Sequence, residues 1–452
     1  MSATMPRYTD DYLRTLTSAA YLWAWPLINM HNRQSVMRAV PHPGLMGGIV
    51  PVAPLGSLCM LHDYVEPQER LVACPNQDVA YGFGMVAAEA GPSVIQVPDF
   101  GERFWVYQAV DQRTDSFVQL GAMYGTAPGF YLLAPTGWSG EVPEGIAGVF
   151  RFDTAVGVVI PRVFMDDTAE DREAIQPLLN GISMYPLTEF DGTVKTVVWA
   201  DCPSFPAADA TGSGAETRWV APEAFPESLR AVLDEVPARD GEAALYDWLF
   251  TLTEAAAADP HAHDVIVGAA TSADSGLVQE LFEFRNIGTP ATGNWSTTRN
   301  GAHFGTDYLT RTAMAKANIF VNSANETCYY YLDVDASGDR LDGTRRYSVT
   351  FPSDGLPPVK GFWSLTLYNE HHFFHENDLH RFSLGTKNTT LQFADDGALT
   401  LTAGGPAPAD PAESANWLPA PEGPFSLFLR AYWPTEAVLE QSWTPPDVVR
   451  VN

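Results

Sequence analysis

Apolar positions recur at helical spacing over residues 9–39, and the chain then changes to short apolar runs broken by Gly, Pro and Asp. The first rhythm predicts a helix, kinked at Pro26 because the proline ring removes a backbone donor. The second predicts strands at Ser93–Val97, Phe104–Val110, Phe130–Leu133 and Val156–Ile160, in a first antiparallel sandwich between about 70 and 160. Residues 167–183 return to helix, with Asp166 or Asp167 as the cap. Further helices are expected at 222–236, 241–258, 274–284 and 306–320, and from 327 onward the chain reads as strands again. The stretch PSFPAADATGSGAE at 203–216 has the composition of a linker.

The sharpest strand signal is Leu356-Pro357-Pro358-Val359-Lys360-Gly361-Phe362-Trp363-Ser364-Leu365-Thr366-Leu367-Tyr368. Successive strand side chains point to opposite sides, so Phe362, Ser364, Thr366 and Tyr368 share one face and Trp363, Leu365 and Leu367 the other. Bulky residues on both faces place this strand inside a packed β-structure.

A chain of 452 residues with 46% hydrophobic and 12% aromatic positions is long enough for two or three packed domains. Its 55 acidic and 26 basic residues leave a formal charge of −29, a field that repels phosphate backbones and anionic headgroups. Nucleic acid and membrane surfaces are therefore not expected partners. The N-terminus carries acids where a secretion signal needs a basic start, and no run of about 18 uncharged apolar residues occurs. A cytoplasmic location is the expectation, with assembly into a homo-oligomer left open. Cys59, Cys74, Cys202 and Cys328 are widely spaced and read as buried reduced thiols.

Three clusters carry candidate chemistry. In Pro75-Asn76-Gln77-Asp78-Val79-Ala80-Tyr81, a carboxylate beside an amide and a phenol can orient a small molecule and move a proton; the alternative is a turn held by Asx hydrogen bonds. In Tyr107–Asp115, Asp111 and Arg113 form a pair suited to a carboxylate or polyol ligand, or else a salt bridge at the rim of the fold. His371, His372, His375 and His380 invite a metal, but in a strand His371 and His375 stand about 13 Å apart, too far to share an ion. A single histidine, His375, is the candidate general base. Asp333–Asp339 starts like a calcium loop, yet Thr344 replaces the bidentate Glu, so it reads as a turn between strands. The GxGxxA-like run at Gly82–Ala87 lacks the strand–helix context of a dinucleotide site.

The 356–368 segment, the 75–81 run, Asn377 with Arg381-Phe382-Ser383, and Asn416-Trp417-Leu418-Pro419 through Arg430-Ala431-Tyr432-Trp433-Pro434 together carry a family likeness. The chain resembles a bacterial family of paired domains of unknown function, numbered twelve fifty-four and twelve fourteen, from about residue 20 to 450. It departs from the family at Val79, where Thr is usual. The resemblance implies a multidomain α+β protein. Its expected parts are an immunoglobulin-like β-sandwich with flanking helices (1–200), a helical middle (201–325) and a C-terminal jelly-roll β-sandwich (326–452).

The expected function is proton-transfer chemistry on a polar or polyketide-like small molecule, as in a lyase, isomerase, cyclase or hydrolase, without cofactor or metal. Asp78, Tyr81, Asp111 and His375 are the candidate catalytic residues. Asn76, Tyr107, Arg113, Trp363, Tyr368, Arg381 and Trp417 are the candidate substrate contacts. The alternative is a non-catalytic protein that binds a carbohydrate or other small molecule through the same groups.

Overall fold

The computed structural model describes residues 8–206 and 215–451. Residues 1–7 of the N-terminal segment and 207–214 of the expected linker lie outside the described residues.

The first element is the helix Asp10–Arg38, with Asp10 and Asp11 at its positive end and Arg38 at its negative end. Tyr21, Ala24, Leu27, Ile28 and Met30 are almost fully buried, so the middle of the helix lies in a core, while its first turns expose Asp11, Arg14, Thr15 and Ser18. Pro26 cannot donate to the carbonyl of Leu22 four residues earlier. That carbonyl instead accepts from Thr312 Oγ1 at 2.6 Å, donated by the helix Tyr308–Asn318. Phe225–Glu235, Ala243–Ala258 and Pro260–Ala273 complete the helical layer and share one hydrophobic cluster with the N-terminal helix.

That layer covers one face of a five-stranded antiparallel sheet in the order Leu58–Met60, Val79–Ala87, Val156–Phe164, Trp105–Asp111, Leu120–Gly121. Met85, Val158 and Ile160 point into the helices. Val86, Val159 and Tyr107 point the other way, into the cluster shared with Ile95, Val97 and Leu133 of a second, four-stranded sheet. Alternation thus buries both faces, and this is why the strands read as unbroken apolar runs. Gly84 is required where the short strand crosses: a Cβ there would collide with the Ser57 carbonyl.

The C-terminal part holds a six-stranded sheet, in which Thr327–Leu332, Phe425–Tyr432 and Trp363–Asn369 are central, and a four-stranded sheet built on Arg346–Phe351 and Leu399–Gly404. Trp363, Leu365 and Leu367 face the four-stranded sheet. Tyr368 faces the N-terminal core, together with Tyr329, Tyr331 and Phe428. The two faces of one strand serve two different cores. Gly361 marks the closest approach, since its backbone lies against the Phe104 ring and the Tyr432 carbonyl.

Observed elements differ from the expected ones in three places. The helix expected at 167–183 is two short helices, Ala169–Ala174 and Gln176–Asn180, and its cap is Thr168, whose hydroxyl accepts from Asp171 N. The helix Pro260–Ala273 was not anticipated, because its small Ala positions blur the apolar stripe; it continues into the helical segment expected at 274–284, which is a π-helical turn at Asp274–Val278 followed by a 3-10 turn at Gln279–Phe282. The histidine-rich segment is no strand: Asn369 Oδ1 accepts from His371 N and Phe373 N, closing a turn with His372 at φ 61°.

Candidate functional site

A cleft opens where the N-terminal helix, the strand Val50–Val52, the five-stranded sheet and the segment 318–320 meet. Its empty space, open solvent at the mouth included, is about 870 Å³. Most of its wall is apolar: Val52, Val65, Leu71, Phe83, Ile160, Trp219 and Phe320 all line it. The polar groups on the wall are few, and they are Glu69, Arg33, Tyr81, Arg162 and Asn318.

Glu69 sits in the loop leading into the 75–81 run and is 5% exposed. One carboxyl oxygen, Oε1, accepts from Leu71 N and from Val72 N, the latter at 2.7 Å. Oε2 has no partner among the described residues. Burial pushes this carboxyl up to about 7, against the lowering effect of the two backbone donors. Arg33 lies on the same wall but is spoken for: its guanidinium pairs with Glu216 at 2.7 Å and lies 4.5 Å from the Trp219 ring centre.

Arg162 is carried on Val156–Phe164 and is buried, bonded to Gln108 Oε1 at 2.7 Å, Asn322 Oδ1 at 2.8 Å and the Phe320 carbonyl at 2.7 Å. All three partners are neutral. Its Cζ lies 5.5 Å from the Tyr81 ring centre.

Pro75 also lines the cleft, whereas Asn76, Gln77 and Asp78 bond into the contact between the two β-rich parts. Asn76 donates to Tyr432 Oη at 3.0 Å and accepts from Asp78 N at 3.0 Å, which is the expected Asx turn. Asp78 is 1% exposed; its Oδ1 accepts from Ser383 Oγ at 2.9 Å and lies 3.6 Å from Lys387 Nζ. Lys387 Nζ also donates to the Gln77 carbonyl at 2.6 Å, and burial lowers its affinity for the proton. Tyr368 donates to the Pro75 carbonyl and accepts from Arg430 Nη2 at 2.7 Å. Four segments singled out in the sequence therefore converge in one buried clasp.

The remaining candidates lie apart from the cleft. Asp111 and Arg113 pair at 2.9 Å in a buried network that continues through Asp115 to Arg239 and Arg311. Burial pushes the Asp111 carboxyl up despite Arg113 beside it. This network ties the first sheet to the helical middle. Tyr107 is a core ring stacked edge-on against Trp105. Trp363 packs in the C-terminal core beside Phe351. Arg381 donates to the carbonyls of Ser414 and Trp417, and Trp417 Nε1 to that of Gly404 at 2.8 Å, so both brace a turn.

His375 is partly exposed, and burial lowers its proton affinity. His372 is instead buried between Phe282 and Phe284 and pushed down to about 3 by desolvation. Of the residues singled out in the sequence, Tyr81 is the one that lines the cleft. Glu69, Arg162 and Asn318 were missed. Glu69 stands in the run Glu66-Pro67-Gln68-Glu69-Arg70, which has the composition of an exposed loop, and nothing local marks its burial.

Residues 55–186 match the model described as Protein of unknown function (DUF1254), and residues 326–436 the one described as Protein of unknown function (DUF1214). The chain belongs to the family that carries these two domains in this order. Its structure is similar to the crystal structure of the VPA0106 protein from Vibrio parahaemolyticus, with 20% identity, a TM-score of 0.62, and coverage of 97% of this chain and 100% of that one. An uncharacterized protein from Burkholderia cenocepacia aligns at 11% identity and a TM-score of 0.45, covering 98% of this chain and 95% of that one. At such identities likeness concerns the fold alone. No curated protein matches the chain.

Proposed function

We propose that the protein is an enzyme that moves a proton on a small molecule held in this cleft, with Glu69 as its acid–base group. The observation that carries the reading is the Glu69 carboxyl itself: its side chain lines the cleft, one oxygen is fixed by backbone donors, and the other is buried and unpartnered among the described residues. A carboxyl held near 7 populates both forms at neutral pH, which suits a group that takes a proton from an acidic C–H or gives one to a substrate oxygen. The apolar walls favour a substrate with a hydrocarbon or aromatic body over a polyol. Tyr81 and Asn318 supply the polar contacts that orient it.

The finer architecture belongs to the same proposal. An immunoglobulin-like sandwich within 1–200, a helical segment at 201–325 and a jelly roll at 326–452 frame the site, with no cofactor taking part and the cytoplasm as the place of action. Among the described residues no helix is long and apolar enough to cross a membrane.

The test is proton exchange in heavy water on a panel of apolar compounds with acidic C–H bonds. The wild type is expected to exchange at least one of them, and Glu69→Gln to slow that exchange by roughly 10²–10⁴ while staying folded. Compounds that bind by calorimetry but are neither exchanged nor converted would make the protein a binding module instead.

A further inference from the structure

Two wall groups remain unexplained by acid–base chemistry at Glu69. Asn318 is 7% exposed, lines the cleft, and its side-chain amide makes no hydrogen bond to any described residue. The Tyr81 ring centre lies 5.5 Å from Arg162 Cζ, and no described residue accepts the Tyr81 hydroxyl proton. Asn318 lies two residues before Phe320, whose carbonyl holds Arg162, and all three line the cleft with Tyr81.

A buried guanidinium, Arg162, is on the cleft wall. Arg162 is bound by neutral groups, and the carboxyl that acts on it, Glu326, is bonded to Tyr124 at 2.8 Å and to Ser323 N at 3.0 Å. Just behind Cys74 and Pro75, which also line the cleft, Arg430 is buried on Thr366, Tyr368 and the Cys74 carbonyl, again all neutral. Two buried guanidiniums without an ion-paired carboxylate among the described residues leave a field that an anion would compensate.

We propose that the cleft takes a monocarboxylic acid: its apolar body lies against Val52, Phe83 and Ile160, and its carboxylate accepts from Tyr81 and Asn318 with Arg162 behind them. Two neutral donors match the two oxygens of a carboxylate, whereas a phosphate dianion would need more. The proposal rests on the cleft being the ligand site, not on the chemistry assigned to Glu69.

Calorimetric titration of the full chain with decanoate and with 1-decanol at about pH 6, where a simple carboxylic acid is ionised and Glu69 keeps its proton, tests it. Decanoate is expected to bind at least about tenfold more tightly, and Tyr81→Phe and Asn318→Ala each to reduce that preference severalfold without changing decanol affinity. Equal or tighter binding of decanol, binding of neither, or an unchanged preference in both variants would overturn it. Binding is read here without turnover, so a wild type inert in proton exchange leaves this result standing. A failed carboxylate preference leaves exchange of neutral compounds standing in turn.

Discussion

At the scale of single residues, position in the electrostatic landscape matters more than residue type. Asp78 and Glu69 are both buried carboxyls near the start of the same motif. One oxygen of Asp78 has a lysine and a serine beside it, whereas neither oxygen of Glu69 has a side-chain partner among the described residues. Burial raises the Glu69 carboxyl toward neutrality, to about 7. The consequence for stability has a definite sign. The folded protein holds the Glu69 proton more tightly than the unfolded chain, whose value is near 4.5. The stabilisation is therefore complete below about 4.5 and is lost as pH rises through about 7. His372, pushed down to about 3, acts in the opposite sense at lower pH, so Glu69 is isolated by comparing variants. Relative to Glu69→Gln, the wild type is expected to lose stability steadily between about pH 5 and pH 8 in denaturant titrations. A pH-independent difference would place the Glu69 carboxyl at its ordinary value.

At the scale of elements, the N-terminal helix shows how one sequence irregularity is absorbed by another element. Pro26 frees the Leu22 carbonyl, and Thr312, fully buried on the neighbouring helix, donates to it. Thr312→Val keeps the shape and removes the donor, leaving a buried acceptor unpaired at a cost of about 1–3 kcal/mol. Pro26→Ala restores the intrahelical donor. The loss caused by Thr312→Val is thus expected to shrink in the Pro26→Ala background. A double-mutant cycle read by urea unfolding checks this, and simple additivity would count against the account.

At the scale of the molecule, the two β-rich parts are not independent beads. Residues from both, such as Val159 and Leu133 on one side and Tyr331 and Phe428 on the other, belong to one hydrophobic cluster. The clasp of Asn76, Asp78, Tyr368, Ser383 and Lys387 sits across that contact. Asp78→Asn leaves the Lys387 ammonium buried without its nearest counter-charge, and breaking a buried pair in this way costs on the order of 3–5 kcal/mol. The variant is expected to melt well below the wild type, and Lys387→Met added to it to recover much of the loss. Unchanged melting in Asp78→Asn would remove the clasp from the stabilising contacts.

Local pattern was sufficient for much of the architecture. The strand Trp363–Asn369 and its division into Trp363–Leu365–Leu367 and Ser364–Thr366–Tyr368 faces follow from the two-residue period alone, as does the long helix at Asp10–Arg38 from its 3.6-residue period. The Asx turn at Asn76–Asp78 was equally legible, because its hydrogen bond spans two residues. Burial of isolated polar side chains was not. Whether Glu69, Arg162 or Asn318 meets water depends on segments far along the chain, such as Trp219 and Phe320, that close over them. Charge state follows burial, so the cleft's chemistry was decided only when those distant segments came together in three dimensions.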